Sequence, residues 1–322
     1  MLPAEVITRE RPLIALVGPT ATGKTALALA LAGRMSDLAR FEVISADSRQ
    51  IYRRLDIATA KPTREQLAAL PHHLIDVVDA DQPYTLADYQ RDATTAILEI
   101  QARGAVPLLV GGTGLYVRAV VDGLAIPAVA PDPALRAALE AEAAAHGVDA
   151  LYQRLLELDP VAGARIDRAN PRRLVRALEV CLLTGRPFSE QQRTNPPGYR
   201  LLMVGLNMER QALYARADQR IDAMLESGLL DEAQTLVRSG YAWALPAMSS
   251  LGYRELGAYL RGEMSLSDAV ARFKLDTHAY IRRQLSWFRA DTRIKWLNAG
   301  LPQDELAREA AAMVRGWLTD LG

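Results

Sequence analysis

Residues 18–25 read Gly18-Pro19-Thr20-Ala21-Thr22-Gly23-Lys24-Thr25, directly after the apolar run 13–17 and opening the Ala/Leu-rich stretch 25–33. No other spacing in the chain constrains its fold as much. The pattern G-x-x-x-x-G-K-T joins a strand to a helix through a loop whose two glycines let backbone N–H groups curl inward around a phosphate. Lys24 adds a charge for the outer phosphates, and the Thr25 hydroxyl is placed to hold magnesium. The helix that begins in the loop points its positive end at the bound anion. The motif therefore specifies a polyphosphate site, without specifying a nucleotide.

Two more apolar runs end in polar, acidic or Gly-rich turns. Run 41–46 leads into Asp47-Ser48-Arg49-Gln50, and run 106–110 into Gly111-Gly112-Thr113-Gly114. A fourth strand candidate lies at 73–78. Helical patterns at 26–36 and 86–103 separate them, so a parallel sheet covered on both faces is expected, with ligands at the carboxyl ends of its strands. After Gly123 the pattern changes to a proline-containing loop and helices at about 133–146, 149–158 and 171–184, with no strand before 200–206. Residues 124–199 read as a helical insertion in an α/β core formed by 1–123 and 200–322. Region 209–290 is again helical, and 293–297 suits one more strand.

Charge balances at 38 basic against 38 acidic residues, which excludes a global field for nucleic acid or membrane. The balance is uneven, however. Residues 161–200 hold eight arginines against three acids, and 271–296 seven basic residues against Asp276 and Asp291. Such local stretches suit a polyanion over a limited footprint, or simply solvated helix faces. Cys181 is the only cysteine, which excludes a disulfide framework and a multi-cysteine zinc site; core filling is its expected role. No apolar run approaches the ~20 residues of a membrane span, and residues 1–12 carry no hydrophobic signal core. A cytoplasmic chain without membrane contact, working as a monomer, is expected.

Asp47 can serve as a general base, as a magnesium ligand or as a helix cap. The strand ending at 110 carries no acid, so the carboxylate that supports ATP hydrolysis in motor proteins is missing, and Thr113 stands there instead. The residues fit an acceptor that gives up a proton, a leaving diphosphate and an arginine-rich clamp for a polyanion. His72 and His73 follow Pro71 with no acid or cysteine at ligand spacing, so local hydrogen bonding is expected of them rather than a metal.

Taken together, the motifs resemble the tRNA dimethylallyltransferases, also called tRNA isopentenyltransferases. The likeness runs through the phosphate loop, Ala46-Asp47-Ser48-Arg49-Gln50-Ile51-Tyr52, Thr59-Ala60-Lys61-Pro62-Thr63 and Pro71-His72-His73-Leu74-Ile75-Asp76. It continues through Gly111-Gly112-Thr113-Gly114-Leu115-Tyr116, Asn170-Pro171-Arg172-Arg173-Leu174-Val175-Arg176, Gly252-Tyr253-Arg254-Glu255 and Arg282-Arg283-Gln284-Leu285-Ser286-Trp287. Ile281-Arg282-Arg283-Gln284 departs from the family's frequent Ala-Lys-Arg-Gln and keeps the charge.

The resemblance implies a phosphate-loop fold of the NTPase type, with a helical insertion that binds the anticodon arm. It implies transfer of a dimethylallyl group from dimethylallyl diphosphate to N6 of adenosine 37 in tRNA, the base being flipped into a channel. The phosphate loop would then hold the donor's diphosphate with magnesium, so an ATP-binding label resting on the motif alone misleads. Asp47 is the implied base, Thr113 a neighbour of the reacting centre, and Arg220 a partner of the leaving diphosphate. Ser48, Arg49 and Gln50 would line the base channel. Arg136, the run Arg172, Arg173, Leu174, Val175 and Arg176, and Arg282, Arg283 and Arg289 would meet the tRNA, while Trp287 and Phe288 would be core. An adenylate prenyltransferase acting on free AMP, or a small-molecule kinase, uses similar loops; the former has no need of the basic insertion.

Overall fold

A computed structural model describes residues 1–127, 129–191 and 193–320. Strands β1 (Pro12–Val17), β2 (Arg40–Ser45), β3 (His72–His73), β4 (Ala105–Gly111), β5 (Arg200–Asn207) and β6 (Ile294–Asn298) form one sheet in the order β3-β2-β4-β1-β5-β6. Every pairing in it is parallel. The candidate strand at 73–78 shrinks to a two-residue pairing, because Leu74 (φ 62°) and Asp76 (φ 56°) adopt left-handed backbone that ends extended structure.

Helices α1 (Ala4–Glu10), α2 (Lys24–Arg34), α3 (Arg64–Ala69), α4 (Leu86–Ala102) and α5 (Gly114–Val121) lie between or beside the first four strands. Then follow α6 (Pro133–His146), α7 (Val148–Leu158), α8 (Pro160–Arg165), α9 (Pro171–Thr184) and α10 (Phe188–Gln191). The chain closes with α11 (Arg210–Glu226), α12 (Leu229–Arg238), α13 (Tyr253–Leu260), α14 (Leu266–Arg289) and α15 (Gln303–Thr319). No helix among the described residues is long and apolar enough to cross a membrane.

Strand residues alternate between two apolar layers, as the period of two demands. Ile14, Leu16, Val106, Leu108, Leu202 and Val204 face the layer closed by α2 and α15, through Leu27, Leu31, Ala310 and Val314. Leu13, Ala15, Val17, Leu109 and Met203 face the other, closed by α4 and α5 through Tyr89, Ile97, Tyr116 and Val120. All six residues of β1 and all seven of β4 are buried, which is why they read as unbroken apolar runs. The registers Val17↔Gly111, Val17↔Gly205 and Ser45↔Val110 bring the carboxyl ends of β1, β2, β4 and β5 to one edge. A Cβ at Gly18 (φ 141°) would collide with the Leu206 carbonyl, and one at Gly111 with the Ala46 carbonyl. Glycine is what allows these ends to meet.

By the density of internal contacts the chain divides into Met1–Val121 with the chain from Gly198 onward, and Asp122–Pro197. The second unit has its own core, with Leu139, Leu151, Leu155, Leu174, Leu178, Cys181 and Phe188 among its members. Leu174 and Val175, expected to be part of a tRNA-contacting run, belong to that core and are only 0% and 6% exposed. That is a correction with a helical cause: 174, 175, 178 and 181 share the inward face of α9, whereas Arg172 and Arg173 point to solvent. Asp132 caps α6 and Asn170 caps α9, each followed by proline at the first helical position.

Glu179 is the polar hub of this unit. Its carboxylate accepts from Arg136 Nε (2.8 Å) and Nη2 (2.9 Å), from Arg176 Nη1 (2.6 Å) and from the Asp132 N–H (2.8 Å). Burial alone would raise its pKa; the hydrogen bonds from Arg136, Arg176 and Asp132 overcome that and hold it down at about 2. A depressed carboxylate pKa stabilises the fold fully above the ordinary value of 4.5, and that contribution fades as pH falls toward about 2. Glu179→Gln should therefore destabilise this unit by about 1–3 kcal/mol at neutral pH and flatten its acid sensitivity. Hydrogen exchange of the α9 amides across this acid range checks both; an unchanged pH profile contradicts the hub.

Candidate active site

The phosphate loop leaves the end of β1 and closes on itself. Thr22 Oγ1 donates to the Pro19 carbonyl (2.8 Å), and Lys24 Nζ to the Gly18 (2.9 Å) and Pro19 (2.7 Å) carbonyls. Gly23, at the N-cap of α2, offers no side chain to satisfy the helix's first N–H groups, which stay available to an anion. Ala21 sits at φ 65°, a conformation that non-glycine residues seldom adopt. Thr25 lies in the first turn of α2.

Burial pushes the Lys24 ammonium down to about 7; Asp47 opposes that shift and Arg220 reinforces it. Arg220, on α11, is also lowered by burial, with Asp47 raising it and Arg216 lowering it further. Arg216 stands one turn earlier on the same helix, and its guanidinium lies 3.3 Å from where a Gly23 side chain would begin. Three cations thus converge on the loop. α11 turns both arginines toward the loop at i, i+4 spacing. Asp47 is the acid whose field reaches Lys24, Arg220 and Tyr280.

Asp47 follows β2 and accepts the Arg49 N–H (2.8 Å), an Asx turn that orients its carboxylate. Thr113, after β4, accepts the Ser48 N–H through Oγ1 (3.1 Å), and its own N–H donates to the Ala46 carbonyl (3.1 Å). The Asp47 and Thr113 turns are therefore stitched together. Tyr280 from α14 hydrogen-bonds Thr113, and burial followed by the Asp47 charge pushes its phenol up to about 12. Beneath the turns Tyr89 and Tyr116 stack with centroids 3.8 Å apart, Tyr89 donating to the Ser45 carbonyl (3.1 Å).

Other expected site residues are held elsewhere. Gln50 donates to the Thr59 and Ala60 carbonyls (3.2 Å each) and accepts from Ser45 Oγ (2.8 Å), so its amide is committed to the turn and not free to read an adenine edge. Arg49 donates to the Pro246 carbonyl (2.7 Å). Arg136 and Arg176 are engaged by Glu179. Arg282 donates to the Tyr214 hydroxyl (3.2 Å), and Arg283 lies 5.7 Å from the Tyr280 ring centroid; both are exposed on α14, as is Arg289. Phe288 is core, but Trp287 is 40% exposed beside Gly114, which corrects its expected burial. His72 bonds the Leu70 carbonyl (2.7 Å) and His73 the Glu42 carboxylate (2.8 Å). Arg216, Tyr280 and Gln284 were not singled out by sequence reasoning, although 280, 284 and 287 share one helical stripe.

Among the described residues no group of three or more His, Cys, Asp or Glu side chains is arranged to hold a metal. A hydroxyl at Thr25, completed by phosphate oxygens and water, suits magnesium, which usually takes only one or two protein oxygens.

The family model described as IPP transferase matches residues 50–291. A protein named tRNA dimethylallyltransferase from Roseiflexus castenholzii is 54% identical, over 94% of this chain and 97% of its own length. Another of that name from a Roseiflexus species is 52% identical, over 95% and 99%. The crystal structure of full-length tRNA isopentenylpyrophosphate transferase from Bacillus halodurans is 41% identical with a TM-score of 0.72, covering 97% of this chain and 98% of that one. A eukaryotic dimethylallyltransferase acting on tRNA, 26% identical, aligns with a TM-score of 0.75 over 89% of this chain and 74% of its own. The α/β phosphate-loop architecture is thus shared at full length, and this chain belongs to the IPP transferase family.

Proposed function

We propose that this chain transfers the dimethylallyl group of dimethylallyl diphosphate to N6 of adenosine 37 in the anticodon loop of tRNA, releasing diphosphate. One observation carries the reading: Lys24, Arg216 and Arg220 converge on an uncapped helix start, opposed by Asp47, beside the Thr113 turn. The desolvation of Lys24 and Arg220 and the repulsion between them are relieved by a polyanion, and a prenyl diphosphate supplies one together with its own leaving group. The names of the close relatives favour tRNA over free AMP as acceptor, and over a kinase reaction.

In this reading the donor's C1–O bond breaks as the N6–C1 bond forms. Asp47 accepts the N6 proton, and Lys24, Arg216 and Arg220 take up the charge of the departing diphosphate. Thr25 would hold magnesium, which would supply charge neutralisation on the same diphosphate. Thr113 orients the amine or the donor, its hydroxyl already fixed by Ser48 and Tyr280. Ser48 and Arg49 border the base's approach, and Gln50 shapes that turn. Arg172 and Arg173 on α9, and Arg282, Arg283 and Arg289 on α14, meet backbone phosphates of the anticodon stem-loop, whereas Arg136 and Arg176 act through Glu179. The enzyme in this reading is a monomer working where tRNA is found, in the cytoplasm.

Asp47→Ala should lower kcat for transfer of labelled prenyl group to unmodified tRNA by about 10²–10⁴, with tRNA affinity nearly intact. Near-normal kcat removes Asp47 from the base role. Replacing Arg172 and Arg173 together by Ala should reduce the slope of log affinity for tRNA against log salt by about 1–2, as phosphate contacts are lost. An unaltered slope places the tRNA contact elsewhere.

A further inference from the structure

Gln284 is a buried amide, 5% exposed, in the C-terminal part of α14. Its Oε1 accepts the Thr20 N–H of the phosphate loop at 2.9 Å, and its Nε2 donates to the Gly112 carbonyl at 2.9 Å. Thr20 belongs to the donor loop; Gly112 immediately precedes Thr113. One side chain therefore spans the two turns between which the transfer takes place, from a helix far away in sequence. A primary amide offers an acceptor and a donor on one rigid group without having to bind a proton. The fit is tight: a Cβ at Gly112 would land on Gln284 Nε2 and stand 3.3 Å from the Gly18 carbonyl. On the same helix stripe Tyr280 reaches Thr113 one turn earlier, and Trp287 packs against Gly114 about one turn later.

We infer that Gln284 is a positioning residue for the transfer: its amide sets the distance between the donor loop and the Thr113 turn, and through them the distance from the donor's C1 to the acceptor amine. The inference rests on the transfer reading above. Formation of the N–C bond needs both reactants held near contact in line, and small displacements there cost rate rather than affinity. Because both ends of the Gln284 amide are taken up by Thr20 and Gly112, its loss is felt in kcat while each substrate still finds its own pocket.

The test uses the full-length protein, unmodified tRNA and labelled dimethylallyl diphosphate. Gln284→Met keeps the length and helix propensity of the side chain while removing both hydrogen bonds. Its kcat should fall by about 10- to 100-fold, with KM for the donor and Kd for tRNA within about threefold and the folded fraction unchanged. Gly112→Ala, which displaces the amide from the other side, should reproduce the loss, and the double variant should be no worse than the more impaired single one.

Gln284→Glu supplies a readout that a merely structural role would not move. Its carboxyl can donate to the Gly112 carbonyl only when protonated, and burial favours the protonated form, so its kcat relative to wild type should recover as pH is lowered. Wild-type kcat in Gln284→Met, a loss that follows only the folded fraction, or a Gln284→Glu ratio flat with pH overturns the positioning role while the transfer reading stands. Absence of prenyl transfer by the unsubstituted protein overturns the transfer reading, and the positioning role with it.

Discussion

The carboxyl ends of β1 and β5, and of β2 and β4, approach each other so closely that no side chain fits between them. At Gly18 and Gly111 even a methyl group would strike a neighbouring carbonyl. That constraint follows from a parallel sheet buried on both faces, whose register places Val17 opposite Gly111 and Ser45 opposite Val110. The turns leaving these ends have nowhere to go but toward one another. The phosphate loop, Asp47 and Thr113 become neighbours for that reason, and their hydrogen bonds are local consequences of it.

The electrostatics of the site complete that frame from outside the sheet. α11 brings Arg216 and Arg220 to a loop that already holds Lys24, and burial leaves Lys24 and Arg220 poorly solvated. Such an arrangement is unfavourable until an anion arrives, as expected of a site whose stabilising power is kept for ligand and leaving group. Asp47 faces Lys24 and Arg220 across the same loop. The folded unit formed by Asp122–Pro197 solves a different problem. Among its arginines, Arg136 and Arg176 are engaged by Glu179, whereas Arg172 and Arg173 are left toward solvent.

Much of this was legible in the chain. Runs 13–17, 41–46 and 106–110 announced buried strands because burial on both faces removes polar alternation, and each appears within about a residue of its expected bounds. The helix patterns at 133–146 and 171–184 were equally clear, since Asp132-Pro133 and Asn170-Pro171 mark their starts. The strand candidate at 73–78 was not, because left-handed backbone at Leu74 and Asp76 carries no glycine to signal it. Leu174 and Val175 were misassigned to a surface run because a motif records neighbours in sequence, whereas a helix sorts them by face. Gln50, Arg136 and Arg176 could be matched to charge and position but not to partners, and Glu179 is the partner that only the fold supplies for two of them. Gln284 lay hidden for the same reason, its contacts depending on where α14 crosses the strand ends.

The central claim is that the phosphate loop serves a prenyl diphosphate and that the acceptor is tRNA. It is tested most directly by incubating the protein with unmodified tRNA, labelled dimethylallyl diphosphate and magnesium, with free AMP present as a competing acceptor. The account predicts label in the tRNA, released on digestion as N6-dimethylallyladenosine. Label confined to AMP, or none in either acceptor, would contradict it.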